Sequence, residues 1–422
     1  MKPMTRAAAA ALCVTGFVLG ARAQTVPAFP PAESLPVLPG LADPFLRADG
    51  SRVANMAEWP AQREYLKAMM AHYQFGRMPP KPASFEITGR TRSWILDGAA
   101  VQEVFQIRLR RSGRTVSIRV GVVRPDRKGR FPVIVKNDAF LFSLAEIADP
   151  RSRQLYESSK RDDLDQKVFR EAVKRGYAIC KFNREDVAAD KPGNRGGGVF
   201  PLYPEPRYDW GTIAAWAWAY QVIVDALSRE DWADAAKIVA TGHSRGGKTA
   251  LCAAIYDERI AISVPSASGS GGTGSWRFFD PSGSKQDVGF LVKQQPHWFG
   301  PNLIAFAGRE DRLPFDGHTA KALIAPRPLL NTHGRDDAIA NRLGTQATFR
   351  AAQAVYEWLG QPGKQGLVWR QGGHGQFEED WMALFDFGDL HFFGKRNARD
   401  FQQMPHPAQA PLFGWRAPGA SR

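Results

Sequence analysis

The feature that most constrains this chain is a sharp turn with glycines around one serine. Residues 237–255 read Lys-Ile-Val-Ala-Thr-Gly-His-Ser-Arg-Gly-Gly-Lys-Thr-Ala-Leu-Cys-Ala-Ala-Ile. Lys237 to Thr241 read as a short buried strand, and Lys248 to Ile255 as a helix of small residues. Between them, Gly242-His243-Ser244-Arg245-Gly246 fits G-x-S-x-G, in which a strand turns into a helix and presents a serine hydroxyl. Glycines flank the serine because such a turn is strained and leaves no room for Cβ atoms. The hydroxyl then sits at the carboxyl end of a sheet, near helix N-terminal N–H groups that can stabilise an oxyanion. The plainer alternative is an ordinary glycine-rich strand–helix turn. The strand before and the helix after favour a nucleophile.

The flanking pattern agrees with that turn. Ser84 to Trp94, Val101 to Arg110 and Thr115 to Val123 alternate as antiparallel strands do. Phe131 to Lys136, Tyr177 to Phe182, Ala261 to Ser266, Pro328 to Thr332 and Leu367 to Gln371 read as buried strands. Trp59 to Tyr73, Asp165 to Arg175, Tyr208 to Leu227, Thr345 to Leu359 and Asp380 to Phe393 read as helices. The aromatic residues of Tyr208 to Leu227, Tyr220 among them, read as core packing. This succession predicts an α/β-hydrolase: a three-layer αβα sandwich with a mostly parallel sheet and an N-terminal antiparallel extension. No linker or internal repeat divides the chain, so residues 24–422 are expected to form one catalytic domain. The proline-rich stretch 24–45 should wrap the surface in extended form. The tail from about Pro405 should pack loosely. Asn194 to Gly198 reads as a flexible surface loop; it lacks the Lys-Ser/Thr ending of a phosphate loop.

In this fold class the triad follows the order Ser, acid, His. Ser244 comes first. Asp336 or Asp337 comes next, in a loop after a strand. His374 comes last, between glycines after the last strand. A serine hydroxyl is a poor nucleophile until a base takes its proton, and a carboxylate holds the imidazole in the right tautomer. In a strand-end turn one of two adjacent aspartates caps backbone while the other faces the histidine; Asp337 is favoured for the second role. His243 adjoins the nucleophile, and its ring is expected to point away. His297, His318 and His333 are weaker candidates for the base. Arg245 and Lys248 are cations at a helix start, where the dipole is unfavourable to them. They call for a partner, and an oxyanion or an anionic or polyhydroxy substrate would supply one.

Composition narrows the setting. Lys2 and Arg6, the apolar run Ala7 to Leu19, and Ala21-Arg22-Ala23 read as a signal peptide over residues 1–23. Its removal takes three basic and no acidic residues, so net charge falls from +14 to +11. The chain is expected in the periplasm or outside the cell, with no membrane span. No nucleic-acid motif and no Cys/His cluster with metal-ligand spacing is present. Cys13 leaves with the signal, and Cys180 and Cys252 lie in apolar segments, where buried free thiols are favoured over a disulfide between them.

Gly242-His243-Ser244-Arg245-Gly246-Gly247-Lys248 resembles the signature of glucuronoyl esterases, carbohydrate esterase family 15. The likeness extends in order through Trp210-Gly211, Ala215 to Trp218, Ser268-Gly269-Ser270-Gly271-Gly272, Trp276-Arg277, Pro296 to Phe299, Leu313 to Asp316 with His318, and Ile324 to Leu330. It covers about residues 130–395. The resemblance implies cleavage of the ester between 4-O-methylglucuronic acid of xylan and lignin alcohols, with no metal or organic cofactor. It implies Ser244 as nucleophile, His374 as base, Arg245 at the oxyanion, and Lys248, Gln295 and Trp298 at the uronate. Gln295 stands where members carry a glutamate. Many members carry their acid where this chain has Ala267. Other bacterial members use an aspartate in G-x-x-D-x-W, which strengthens Asp337 and leaves Ile339 in place of the tryptophan. The disulfide that members form across the site is absent, because its two positions are His243 and Gly375.

The sequence thus leads to a monomeric serine esterase acting on glucuronoxylan or lignin–carbohydrate esters. The altered uronate contacts keep an acetyl-xylan type of esterase open, and Ala267 keeps a non-catalytic glycan-binding relative open.

Overall fold

The computed structural model describes residues 28–143, 150, 153–154, 157, 161–407 and 412–419. The expected signal peptide and part of the tail lie outside these residues. Among the described residues, nine strands form one sheet in the order β1-β2-β3-β5-β4-β6-β7-β8-β9. They are β1 (Glu86–Ile95), β2 (Ala100–Arg111), β3 (Arg114–Pro125), β4 (Phe131–Asp138), β5 (Ala178–Asn183), β6 (Ala233–His243), β7 (Ile260–Ser266), β8 (Leu329–Gly334) and β9 (Gln365–Arg370). β5 through β9 in that order pair in parallel, and β1, β2 and β3 extend the sheet in antiparallel pairing. The six long helices among the described residues are α1 (Trp59–Met70), α2 (Arg161–Arg175), α3 (Thr212–Leu227), α4 (Arg245–Tyr256), α5 (Arg342–Trp358) and α6 (Glu378–Phe393).

Side-chain alternation along the strands builds the two apolar layers. Val133, Val135, Ala178, Cys180, Ile238 and Ala240 face one core, with Leu66, Trp216, Leu251 and Val355 of the helices. Ile134, Ile179 and Val239, one residue out of step, face the other, with Val168 and Phe169 of α2 and Trp381 and Leu384 of α6. Strands buried on both sides need apolar residues at every position, which is why they read as continuous runs. Cys180 and Cys252 are buried and unpaired.

Several elements differ from their sequence reading. α1 ends at Met70 and continues as a π turn through Phe75. α3 begins at Thr212 rather than Tyr208, because a Cβ on Gly211 would lie 2.4 Å from the Trp298 carbonyl oxygen and the chain there runs extended. The loop at residues 194–198 holds a 3-10 turn. Its buried Asn194 donates to Ala189 O at 2.7 Å and to Thr212 Oγ1 at 2.8 Å.

The two termini also depart from a surface wrap and a loose tail. Phe45 is fully buried, with ring centroids 5.7 Å from Trp59, 5.1 Å from Trp358 and 6.1 Å from Trp415. Trp415 Nε1 donates to Leu41 O at 2.9 Å, and Leu41 N donates to Leu412 O at 2.8 Å. The proline-rich segment and the tail are thus stapled together through aromatic anchors. Removing a buried phenyl ring leaves a cavity that the surroundings only partly fill. Phe45→Ala should therefore lose about 3 kcal/mol or more in a urea melt; a loss below about 1 kcal/mol would show that this segment is a surface wrap after all.

Candidate active site

The elbow is built as strain held by close packing. Ser244 has φ 55° and ψ −118°, a conformation unfavourable for any residue with a Cβ. A Cβ on Gly242 would lie 2.4 Å from Gly246 O, so the turn closes only with glycine. Ser244 N donates to Ser266 O at 2.9 Å, fixing the serine between β6 and β7. From behind, Asn137 Nδ2 donates to Gly246 O at 3.0 Å and to the Tyr220 hydroxyl at 2.8 Å, and that hydroxyl donates to Thr241 O at 2.7 Å. Tyr220 is therefore more than core packing: its hydroxyl braces the strand that carries the serine.

The candidate acid and base meet across two interlocked loops. Arg335 N donates to Arg370 O at 2.8 Å and Asp336 N to Gly372 O at 3.1 Å. Asp336 is exposed, and its Oδ2 accepts from Gly372 N at 3.0 Å. Asp337 is buried, and its Oδ2 lies 2.8 Å from His374 Nδ1. Its Oδ1 accepts from Ile339 N at 2.9 Å and Ala340 N at 3.0 Å. Burial alone would push this carboxyl up. The hydrogen bond and charge of His374, the nearby His333 and the Ala340 N–H outweigh it and hold Asp337 well below the usual carboxylate range. The bond at Nδ1 leaves Nε2 as the nitrogen able to take a proton from a hydroxyl. His333 lies between the two ends of the same loop, with Nδ1 3.0 Å from Gly334 O and Nε2 3.2 Å from Ala340 O.

The His374 loop reaches back over the end of β6. His243 and His374 lie with ring centroids 4.5 Å apart, tilted by 51°. The His243 ring therefore packs on the His374 ring rather than pointing away. Ala267 is buried at φ 41° and its N–H donates to Thr332 O at 2.9 Å, so this position is a tight backbone turn.

On the other side of the serine a second carboxylate gathers the polar groups. Asp190 Oδ2 pairs with Arg245 Nη1, and its Oδ1 lies 3.0 Å from His297 Nε2 and accepts from Trp298 Nε1 at 2.8 Å. Burial pushes Asp190 up, but these donors, with the charges of Arg245 and Arg184, hold it well below the usual range. The Arg245 guanidinium lies 5.2 Å from the centroid of the buried Trp298 ring, and Lys248 Nζ lies 5.7 Å from it. Gln295 follows a short helix (Val288–Gln294) and is half-buried; its carbonyl accepts from Trp298 N at 3.1 Å. Asp190 was not singled out in the sequence. The demand of Arg245 for a partner at the start of a helix was the available signal. His318 is remote from this cluster in role: its Nε2 lies 2.7 Å from Ala42 O and its ring stacks on Trp415. Among the described residues, no three His, Cys, Asp or Glu side chains gather as a metal ligand set.

With this geometry in view, the relatives are informative. Residues 164–360 match the family model described as glucuronyl esterase, fungi. A 4-O-methyl-glucuronoyl methylesterase of Wolfiporia cocos is 30% identical over 390 residues, covering 85% of this chain and 86% of that one. The chain belongs to the glucuronoyl esterases of carbohydrate esterase family 15. A 4-O-methyl-glucuronoyl methylesterase of Podospora anserina is 29% identical over 346 residues; these are 80% of this chain, and span 64% of that relative's length. Among solved structures, a family 15 glucuronoyl esterase of Caldicellulosiruptor kristjansonii matches with a TM-score of 0.70 and 30% identity, covering 90% of this chain and 97% of that one.

Lys248, expected at the uronate, is buried. It is 3% exposed, and its Nζ donates to Ser268 O, so its ammonium holds the glycine-rich loop to α4. Burial, then the nearby Arg245, pull it down to about 7, against the opposing charge of Asp337. The unfolded chain keeps this proton to about 10.5. Between these values the unfolded state binds a proton that the folded state lacks, so stability rises with pH across that window. Lys248→Met removes the titration. The stability of the wild type relative to this variant should rise between about pH 6.5 and pH 9.5, read from urea midpoints. A difference that does not change with pH would mean that Lys248 titrates alike in both states.

Proposed function

We propose that this chain is a serine esterase that cleaves the ester between 4-O-methylglucuronic acid of glucuronoxylan and an alcohol of lignin. The observation that carries the reading is the His374–Asp337 pair packed against the strained Ser244 elbow, in a chain of this family. His374 takes the proton of Ser244 as Oγ attacks the ester carbonyl. The oxyanion is held by Arg245, through its side chain and the backbone N–H that follows the nucleophile. The carbon–oxygen bond to the alcohol breaks, and the alcohol oxygen takes the proton from His374. Water, deprotonated by His374, then attacks the acyl-enzyme and frees the uronic acid and Ser244. Asp337 keeps the imidazole oriented and stabilises its charged form.

Trp298 and Arg245 border the acyl side, with Gln295 beside them; Lys248 supports this side from beneath the glycine-rich loop. No step needs a metal or organic cofactor. The chain acts as one catalytic domain and as a monomer, exported to the periplasm or beyond. Among the described residues no helix is long and apolar enough to cross a membrane.

Benzyl glucuronate hydrolysis by the wild type and by Ser244→Ala, with an aryl acetate assayed beside it, tests the reading. Ser244→Ala should lose at least roughly 10³-fold in kcat on the glucuronate. Full activity in that variant sinks the serine mechanism. Cleavage of the acetate alone would favour an acetyl-carbohydrate esterase, and binding of uronate-bearing xylan without any cleavage a glycan-binding relative.

A further inference from the structure

Hydrolysis of a uronate ester makes a charge. The ester is neutral at its carbonyl, and the freed acid gives its proton to water, because carboxylic acids ionise far below neutral pH. The carboxylate is left where the ester carbonyl reacted, beside Ser244 and Arg245. A carboxylate that meets a guanidinium forms a strong and often bidentate pair. An enzyme that gripped its product in this way would release it slowly, and release limits many turnover rates. The oxyanion is bonded to Ser244, whereas the product is held by non-covalent contacts alone. A cation that helps form the first therefore tends to retain the second.

A second carboxylate stands behind that cation. The Arg245 side chain is 40% exposed and the Asp190 side chain 9%, and the two pair through Nη1 and Oδ2. Asp190 is fixed from other directions too. Its Oδ1 lies 3.0 Å from His297 Nε2 and accepts from Trp298 Nε1 at 2.8 Å, and its own N–H donates to Glu185 Oε2 at 2.9 Å. These contacts hold the carboxylate beside Arg245 independently of any substrate. The remaining charges on this wall nearly balance. Arg184, whose charge also acts on Asp190, has its Nε 3.7 Å from Glu185 Oε1. Lys248 is buried, and burial pulls its ammonium down to about 7, so near neutral pH it adds less than a full charge. A cation thus stands at the surface of a wall that carries little net charge.

We propose that Asp190 serves product release: its charge offsets that of Arg245, so the neutral ester is accepted and the ionised uronic acid is let go. Asp190 acts through Arg245 and does not touch the substrate. The proposal rests on the esterase reading and on the place of Arg245 beside the reacting carbonyl.

The test measures binding of glucuronate and of methyl glucuronate by calorimetry, in Ser244→Ala and in Ser244→Ala with Asp190→Asn. Removing one negative charge beside Arg245 should tighten glucuronate about tenfold and leave methyl glucuronate within about threefold. A merely structural role for Asp190 would weaken both ligands, so the sign of the change separates the two. Glucuronate binding that stays the same or weakens overturns the proposal, and so does equal tightening of both ligands. Asp190→Glu keeps the charge and should not tighten glucuronate; tightening like that of Asp190→Asn also overturns it. If Asp190→Asn does not fold, Arg245→Gln in the same background carries the test. With Asp190 left and the cation gone, glucuronate should weaken about tenfold relative to methyl glucuronate, and equal weakening overturns the proposal. Hydrolysis of methyl glucuronate by the wild type is followed beside these titrations. Without turnover the esterase reading fails and takes this role of Asp190 with it; turnover without the predicted tightening overturns the role of Asp190 alone.

Discussion

The bond between His374 and Asp337 is the contact on which the rest of the site depends. A carboxylate buried as deeply as Asp337 is costly unless its oxygens are satisfied. Three donors satisfy it: the imidazole and the N–H groups of Ile339 and Ala340. The loop after β8 closes on itself around His333 and locks onto the loop after β9 through bonds of Arg335 to Arg370 and of Asp336 to Gly372. Asp337 is thus fixed against His374 before any substrate arrives, which is what orientation of a general base requires.

The opposite wall is organised by Asp190. Arg245 starts α4, where a helix dipole opposes a cation. Pairing with Asp190 compensates for that placement and also ties in His297 and Trp298 from the segment beyond β7. Five stretches of chain far apart in sequence therefore meet at the carboxyl end of the sheet: the elbow, the Asp190 turn, the His297–Trp298 segment and the loops that carry Asp337 and His374. The elbow itself stores strain at Ser244, and Asn137, Tyr220 and the glycines hold it there.

Much of this was legible from local pattern. The strands showed as apolar runs because they are buried on both faces, and the elbow at Ser244 showed because a turn that tight admits only glycine beside it. His374 was legible from its glycines and its place after the last strand. The choice between Asp336 and Asp337 stayed open because adjacent residues share every local signal; only the burial of one and the exposure of the other separates them. Asp190 belongs to no motif. Its role comes from a partner 55 positions later in the chain, which spacing does not reveal. The termini misled for a related reason. Proline density describes an extended backbone, whereas burial is set by Phe45 and Trp415, single aromatics whose partners lie elsewhere in the fold. Lys248 was legible as a cation near the serine but not as a buried one, because its exposure depends on how the loop from Ser268 folds over it.

The most direct test of this account is kcat on a glucuronate ester for Asp337→Asn beside Asp336→Asn. An amide at 337 keeps the shape and removes the charge that orients and stabilises the imidazole, so kcat should fall by roughly 10³- to 10⁴-fold, with Asp336→Asn within about threefold of the wild type. Comparable losses in the two variants, or robust activity in Asp337→Asn, would contradict the claim that the buried His374–Asp337 bond organises the site.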